Sequence, residues 1–302
     1  MCKFKNKRWG KHYNKKRNWQ KYNNQLVIRG KFYLDLEFSE HWYDELREMN
    51  KGKRGAQFKF PDSFIKWMAV WHQLVDYRGL EGIGRILAKY NLIPYFGDYT
   101  TLWNRIHKIS IKIIPENKEF VESDGTGLKT SNAGEYRQFK YRDPNAKRKK
   151  YLVVIITADV KKKKLLYLEH IQGEGQSEPK VAEKQIKEDS EKYKIKKFYG
   201  DSAYDTNNMF DILQSVAEAS IKTIKIRKNA APENIRGSNR RRKEARIYKR
   251  LGYSKWAVYK KYGMKWVGTE GIFSAVKRKY GENTVSRSKE SLIAEGYQRF
   301  WA

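Results

Sequence analysis

The chain has 302 residues, and 65 Lys and Arg against 34 Asp and Glu leave a formal net charge of +31. That excess favours a polyanionic partner, above all nucleic acid, because each cation that neutralises a phosphate releases condensed counterions. No long apolar stretch or lipidation signal offers a membrane anchor, no apolar segment follows the acid-free start 1–31 as a secretory signal requires, and Cys2, the single cysteine, excludes an internal disulfide framework or a multi-cysteine zinc site. A cytoplasmic, nucleoid-associated protein is the expectation.

Residues 1–60 read as a basic arm and linker, in which Trp9, Tyr13, Trp19 and Tyr22 alternate with cations. From Pro61 the pattern turns helical. Phe64, Trp67, Met68, Trp71, Leu74 and Val75 fall at the spacing of one buried face, with Asp62 and Ser63 to cap the start and Gly79 to end it. Leu80, Ile83, Ile86, Leu87 and Tyr90 predict a second helix, and Asp98 caps a third whose inner face is Leu102, Ile106 and Ile109. That arrangement leaves Thr100, Thr101, Asn104, Arg105 and Lys108 outward, as a helix-turn-helix presents side chains to a major groove, although a plain helical hairpin has the same pattern. Residues 61–115 therefore read as an all-α DNA-binding region.

Beyond Pro115 strands and helices alternate. The spans 120–128, 151–160, 165–171, 195–199 and 222–226 read as strands, the second and third as a hairpin, while 178–193, 209–217 and 267–280 read as helices. This is the grammar of an α/β domain with a mixed sheet flanked by helices, over 116–302. A basic insertion around 227–260 carries Arg236, Arg240, Arg241, Arg242, Lys243, Arg246, Lys249 and Arg250, with few acids to pair them, and so suits phosphate contact. Trp256 in that stretch suits either a core or stacking on an unpaired base.

Phosphodiester chemistry asks for carboxylates that hold hard divalent cations, in two-metal sites about 3.5 to 4 Å apart. Asp124 lies late in a predicted strand and enters Gly125-Thr126-Gly127; Asp201 follows another strand in Tyr199-Gly200-Asp201-Ser202-Ala203-Tyr204-Asp205; Glu270 stands near the start of the last predicted helix. Lys277, seven residues on, shares the face of Glu270 and is placed to hold a phosphate. Each acid alone also suits a turn or a cap. Asp143, Asp159, Asp205, Glu244 and Glu282 are rivals, Asp159 and Asp205 reading as structural or supporting.

In these stretches, together with Glu270-Gly271-Ile272-Phe273-Ser274-Ala275-Val276-Lys277, residues 121–281 resemble the catalytic domain of insertion-sequence transposases of the Asp-Asp-Glu class, which share an RNase H-like fold with retroviral integrases. The resemblance implies an RNase H-like sheet and a triad of Asp124, Asp201 and Glu270 binding two Mg²⁺ or Mn²⁺ ions. It further implies cleavage at transposon ends that frees a 3′ hydroxyl, strand transfer into target double-stranded DNA, and assembly as a homodimer or larger. Many relatives carry a Tyr and an Arg ahead of the catalytic Glu; here Trp266 stands at the Arg position, with Lys265 adjacent and Tyr262 a little upstream. Two other readings remain open, a nuclease on the same scaffold without strand transfer and a non-catalytic DNA-binding protein derived from a transposase.

Overall fold

Apolar side chains at helical spacing and β-branched runs sort into separate cores. The structure, a computed structural model, describes residues 5–6, 11–12, 18–109, 120–130, 151–161, 164–171, 177–190, 195–216, 221–233, 237–286 and 288–302. The chain divides into a unit of residues 16–111 with 286–302 and a unit of residues 1–15 with 112–285. Asp143 and Arg236 lie outside the described residues.

The first unit is helical: α1 (Trp19–Phe32), α2 (Trp42–Asn50), α3 (Asp62–His72), α4 (Tyr77–Lys89), α5 (Tyr99–Ile106) and a C-terminal helix, Lys289–Trp301. Its core is aromatic. The Phe64 ring lies 5.2 Å from both Phe38 and Trp42, and Ile65, Met68, Leu80, Leu102 and Ile106 close around them. Asp98 caps α5 as its position predicts, accepting from Thr100 N at 2.7 Å, and Asp76 caps α4 by accepting from Gly79 N at 2.7 Å.

That second cap corrects the sequence reading of Gly79. The helix from Pro61 ends at His72, and the Asp76 carboxylate starts a new helix whose first turn contains Gly79. Asp62 and Ser63 do not cap α3 either; the Ser63 amide donates to Glu45 of α2 instead, at 3.0 Å. α1 and α2 fall within the stretch that reads as arm and linker. Residues 19–31 are exposed, so α1 has no apolar stripe by which a helix is recognised, whereas α2 carries a short one, Trp42, Leu46 and Met49, that turns Trp42 and Leu46 to the core. The C-terminal helix is tied in by Gln298, whose amide donates to Ile106 O at 2.9 Å.

In the second unit a five-stranded sheet is built from β1 (Phe120–Lys129), β2 (Tyr151–Asp159), β3 (Lys164–His170), β4 (Lys197–Gly200) and β5 (Ile221–Ile224), in the order β3-β2-β1-β4-β5. The first three strands run antiparallel, and β4 and β5 are parallel to β1. A parallel neighbour requires a crossover, supplied by α6 (Glu178–Ser190) before β4 and α7 (Asn207–Val216) before β5. Ala182, Ile186, Phe210 and Leu213 of these helices pack with Val121, Leu166 and Phe198 of the sheet. The mixed α/β architecture expected from the strand pattern is thus present.

After β5 come α8 (Asn239–Tyr259), a 3₁₀ segment at Tyr262–Val267, and α9 (Thr269–Tyr280). Gly252 breaks α8 into two runs with φ of +67°, a conformation that disfavours residues with a Cβ. Two-residue strands Lys5–Asn6 and Lys11–His12 pair antiparallel with each other.

Two glycines of α4 offer a paired test of the helical core. A Cβ at Gly84 would enter the Phe96 ring, whereas one at Gly82 meets nothing within 4 Å. Gly82→Ala is expected to raise the urea-unfolding stability by about 0.5–1 kcal/mol through helix propensity. In Gly84→Ala overpacking of about 1–3 kcal/mol outweighs that gain, so stability falls.

Candidate active site

Residues two apart on a strand share a face, so Glu122 and Asp124 of β1 project together. β4 lies parallel beside them, with Val121 opposite Phe198 and Glu122 opposite Tyr199. Continued by two residues, that register sets Asp201, just past the end of β4, level with Asp124. The Asp201 carboxylate accepts from Ala203 N at 2.7 Å and so caps a short 3₁₀ turn, Ser202–Tyr204.

The third acid arrives on α9. The start of this helix is fastened to β1 by Glu122, which is fully buried and accepts from Thr269 N at 3.1 Å and from Thr269 Oγ1 at 2.7 Å. Gly268 must lack a side chain there, because a Cβ would collide with the Glu122 carboxyl. Glu270 follows Thr269 and is partly buried; burial, and after it the charge of Asp124, raise its carboxyl above the usual range, while Lys265 opposes the shift. The Asp124, Asp201 and Glu270 positions predicted from sequence therefore lie on β1, at the end of β4 and in the first turn of α9.

Among the neighbours of these acids, Glu122 and Glu178 were not named from the sequence, and Lys265 was noted only as adjacent to the position where relatives carry an Arg. Lys265, almost wholly buried, places Nζ 2.8 Å from Asp124 Oδ2 and 3.9 Å from Glu122 Oε1. Burial opposes its charge, but Asp124, Glu122 and Asp201 more than compensate and hold the ammonium above its ordinary pKa. Glu178, at the start of α6, packs against Gly125, where a Cβ would stand only 2.6 Å from Glu178 Oε1. Its carboxyl is raised by burial and then by Asp124 and Asp201. Glu122 itself is pushed up to about 8, chiefly by burial. The Tyr204 hydroxyl is buried among these acids with no hydrogen-bond partner, and burial followed by their charge keeps it protonated. The Glu-x-Asp spacing on one strand face was the available signal for Glu122; Glu178 and Lys265 come from segments far away in sequence.

Carboxylates gathered at one edge of the sheet, with burial and the charge of Asp124 raising Glu122, Glu178 and Glu270, form a donor set suited to hard divalent cations, which prefer carboxylate oxygen. In chemistry, Asp124, Asp201 and Glu270 fit such ions. Among the described residues, no three His, Cys, Asp or Glu side chains enclose a single point as metal ligands do; Asp124 is engaged with Lys265.

The rival acids have other partners. Asp205, whose side chain is inaccessible, accepts two bonds from the Arg241 guanidinium at 2.7 and 2.9 Å and one from Arg227 N at 2.9 Å. Asp159 accepts from Lys161 N at 2.8 Å, Glu244 pairs with Lys260 at 2.7 Å, and Glu282 pairs with Lys129 at 3.1 Å.

The residues expected to meet DNA divide in the same way. Thr101, Asn104 and Lys108 are exposed on or just after α5, whereas Arg105 turns back to Phe60 O and Asp62 with its guanidinium 4.8 Å from the centre of the Phe58 ring. On α8, Arg240 and Arg246 are exposed, and Arg241 and Arg242 are half-buried, Arg241 as the partner of the buried Asp205. Lys277 lies 3.8 Å from Glu282. Trp256 is buried in an aromatic cluster, 5.1 Å from both the Tyr248 and Tyr262 rings, and serves the core.

Residues 27–133 match the family described as the transposase DDE domain. The matched stretch begins within α1, extends past the end of β1 and includes Glu122 and Asp124. No curated protein matches the chain.

Arg241→Met leaves the buried Asp205 charge uncompensated, so the expected outcome is a loss of about 3 kcal/mol in unfolding free energy. Chemical denaturation checks it. Glu122 generates a pH test. Its folded pKa of about 8 lies above the model-peptide carboxyl value, so the folded state binds the extra proton and its stabilisation fades as pH rises from about 4.5 through 8. Without divalent metal, Glu122→Gln is expected to flatten that decline, and the native and variant melting temperatures should converge toward acid and separate toward pH 8.5.

Proposed function

We propose that the chain is a DDE transposase in which Asp124, Asp201 and Glu270 hold two Mg²⁺ or Mn²⁺ ions, cut double-stranded DNA at transposon ends and join the freed end to target DNA. The transposase DDE domain over residues 27–133 implies the transposase family. One observation supports the assignment of the site: the buried Lys265 ammonium is held against Asp124, with Asp201 and Glu270 in its neighbourhood. Asp124 contacts Lys265 at 2.8 Å, Asp201 raises its pKa, and Lys265 in turn draws down that of Glu270. The sheet order supports the reading too, since three antiparallel strands followed by two parallel to the first suit an RNase H-like fold.

When bound, the two cations would activate the attacking oxygen and stabilise the leaving one. The protein's own residues set the geometry. β1 and β4 bring Asp124 and Asp201 to neighbouring strands, Glu122 fixes the start of α9 through Thr269, and α9 carries Glu270 toward them. Glu178 adds negative charge beside Asp124 and Asp201, increasing the demand for cations. Arg240 and Arg246 supply exposed positive charge for the backbone, with Lys277 and Arg242 as further phosphate contacts, while Thr101, Asn104 and Lys108 are the side chains by which the helical unit reads element ends. Two copies acting on two element ends account for a homodimer or larger assembly.

Asp201→Asn is the direct test. It removes a metal ligand without removing positive charge, so Mg²⁺-dependent cleavage of end-containing duplex should fall at least about a hundredfold, the scale of losing a group that acts in the transition state. Duplex binding and its salt dependence should remain as in the native protein. Native cleavage by the variant would refute the site.

A further inference from the structure

Lys265 is paired with an acid that the reading above assigns to metal binding. Its ammonium contacts Asp124 and stands 3.9 Å from Glu122, and its charge also acts on Glu178, Asp201 and Glu270. The backbone fixes it there. Lys197 Nζ donates to Lys260 O at 2.7 Å, the Tyr262 hydroxyl donates to Gly200 O at 3.3 Å, and Thr269 is bonded to Glu122, so the 3₁₀ segment bearing Lys265 is anchored on both sides. Side-chain exposure of only 6% excludes bulk water as the main partner of this charge.

A buried ammonium against Asp124 satisfies the carboxylate oxygen that a cation would need. We propose that Lys265 is an internal counter-ion that competes with divalent metal for Asp124, yields that oxygen when metal binds, and then pairs with a DNA phosphate, so that metal and DNA binding are coupled. Lys265 is a positioning residue in this scheme, acting through Asp124. One cation of charge +1 among five carboxyls keeps the metal-free site folded without filling it. Displacing it costs an ion pair unless another anion is present, and the backbone of bound DNA supplies that anion. By linkage, DNA then tightens metal binding and metal tightens DNA binding by the same factor.

The inference rests on the metal-site reading, and the experiment separates the two. Mn²⁺ affinity of the full chain is measured by calorimetry, with and without a duplex, for native protein, Lys265→Met, Lys265→Arg and Asp201→Asn. Lys265→Met is expected to bind Mn²⁺ about tenfold tighter without DNA, equal to about 1.4 kcal/mol, and to lose most of the tightening that the duplex gives the native protein. Lys265→Arg, which keeps the charge, should stay close to native. A merely structural role for Lys265 would weaken metal binding instead. Equal or weaker Mn²⁺ binding in Lys265→Met, with Asp201→Asn weakened as expected, overturns the inference alone; undiminished tightening by the duplex overturns the hand-over. If Asp201→Asn binds Mn²⁺ like the native chain, the site reading fails and the inference with it. Should Lys265→Met unfold without metal, recovery of its melting transition on adding Mn²⁺ supports the scheme, and failure to recover counts against it.

Discussion

The ion pair between Lys265 and Asp124 is the interaction on which the rest of the candidate site depends. Asp124, Glu178, Asp201 and Glu270 come from β1, the turn after β4 and two helices, and their like charges would drive those elements apart in a partly dry setting. The Lys265 ammonium offsets that repulsion, and Glu122 bonds the start of α9 to β1 through Thr269. The cost is visible in the raised carboxyls of Glu122, Glu178 and Glu270, each disfavoured in its charged form by burial first. Such a site is held together while still demanding positive charge.

The contrast with the rest of the chain is informative. With 65 Lys and Arg against 34 Asp and Glu, cations far outnumber the acids that could pair with them, yet several of the described acids are committed to buried or local bonds. Arg241 and Asp205 join the start of α8 to the turn after β4, and Arg105 braces α5 against Phe60 and Asp62. Both arginines read from sequence as DNA contacts, and both have structural work in the fold. The cations left at the surface, among them Arg240, Arg246 and Lys108, suit a phosphate backbone better.

Much of the sheet unit was legible because strand signals are local. The β-branched run at 151–159 and the turn beyond Asp159 mark a hairpin, and Asp124 and Asp201 stand at strand positions that neighbouring strands bring together. The helices α3 to α5 were legible from apolar spacing and from Asp98, while Gly79 misled because a glycine inside a first turn looks like one that ends a helix. The C-terminal helix escaped notice since it buries Glu295, Gln298 and Arg299 alongside Phe300, which breaks the apolar pattern. Glu178, and the pairing of Lys265 with Asp124, were illegible for another reason: they lie in contacts with Gly125 and Asp124, and no spacing within one segment encodes a contact such as that of Lys265 across 141 positions.

The central claim is that Asp124 and Asp201, together with Glu270, form a divalent-metal site. Anomalous diffraction from crystals of the protein with Mn²⁺ and a duplex tests it most directly. The account predicts manganese peaks with oxygens of Asp124 and Asp201 at about 2.0–2.3 Å, the range for hard divalent cations on carboxylates, and Lys265 Nζ withdrawn from Asp124. Manganese bound elsewhere, with the Lys265–Asp124 pair intact in the DNA complex, would contradict it.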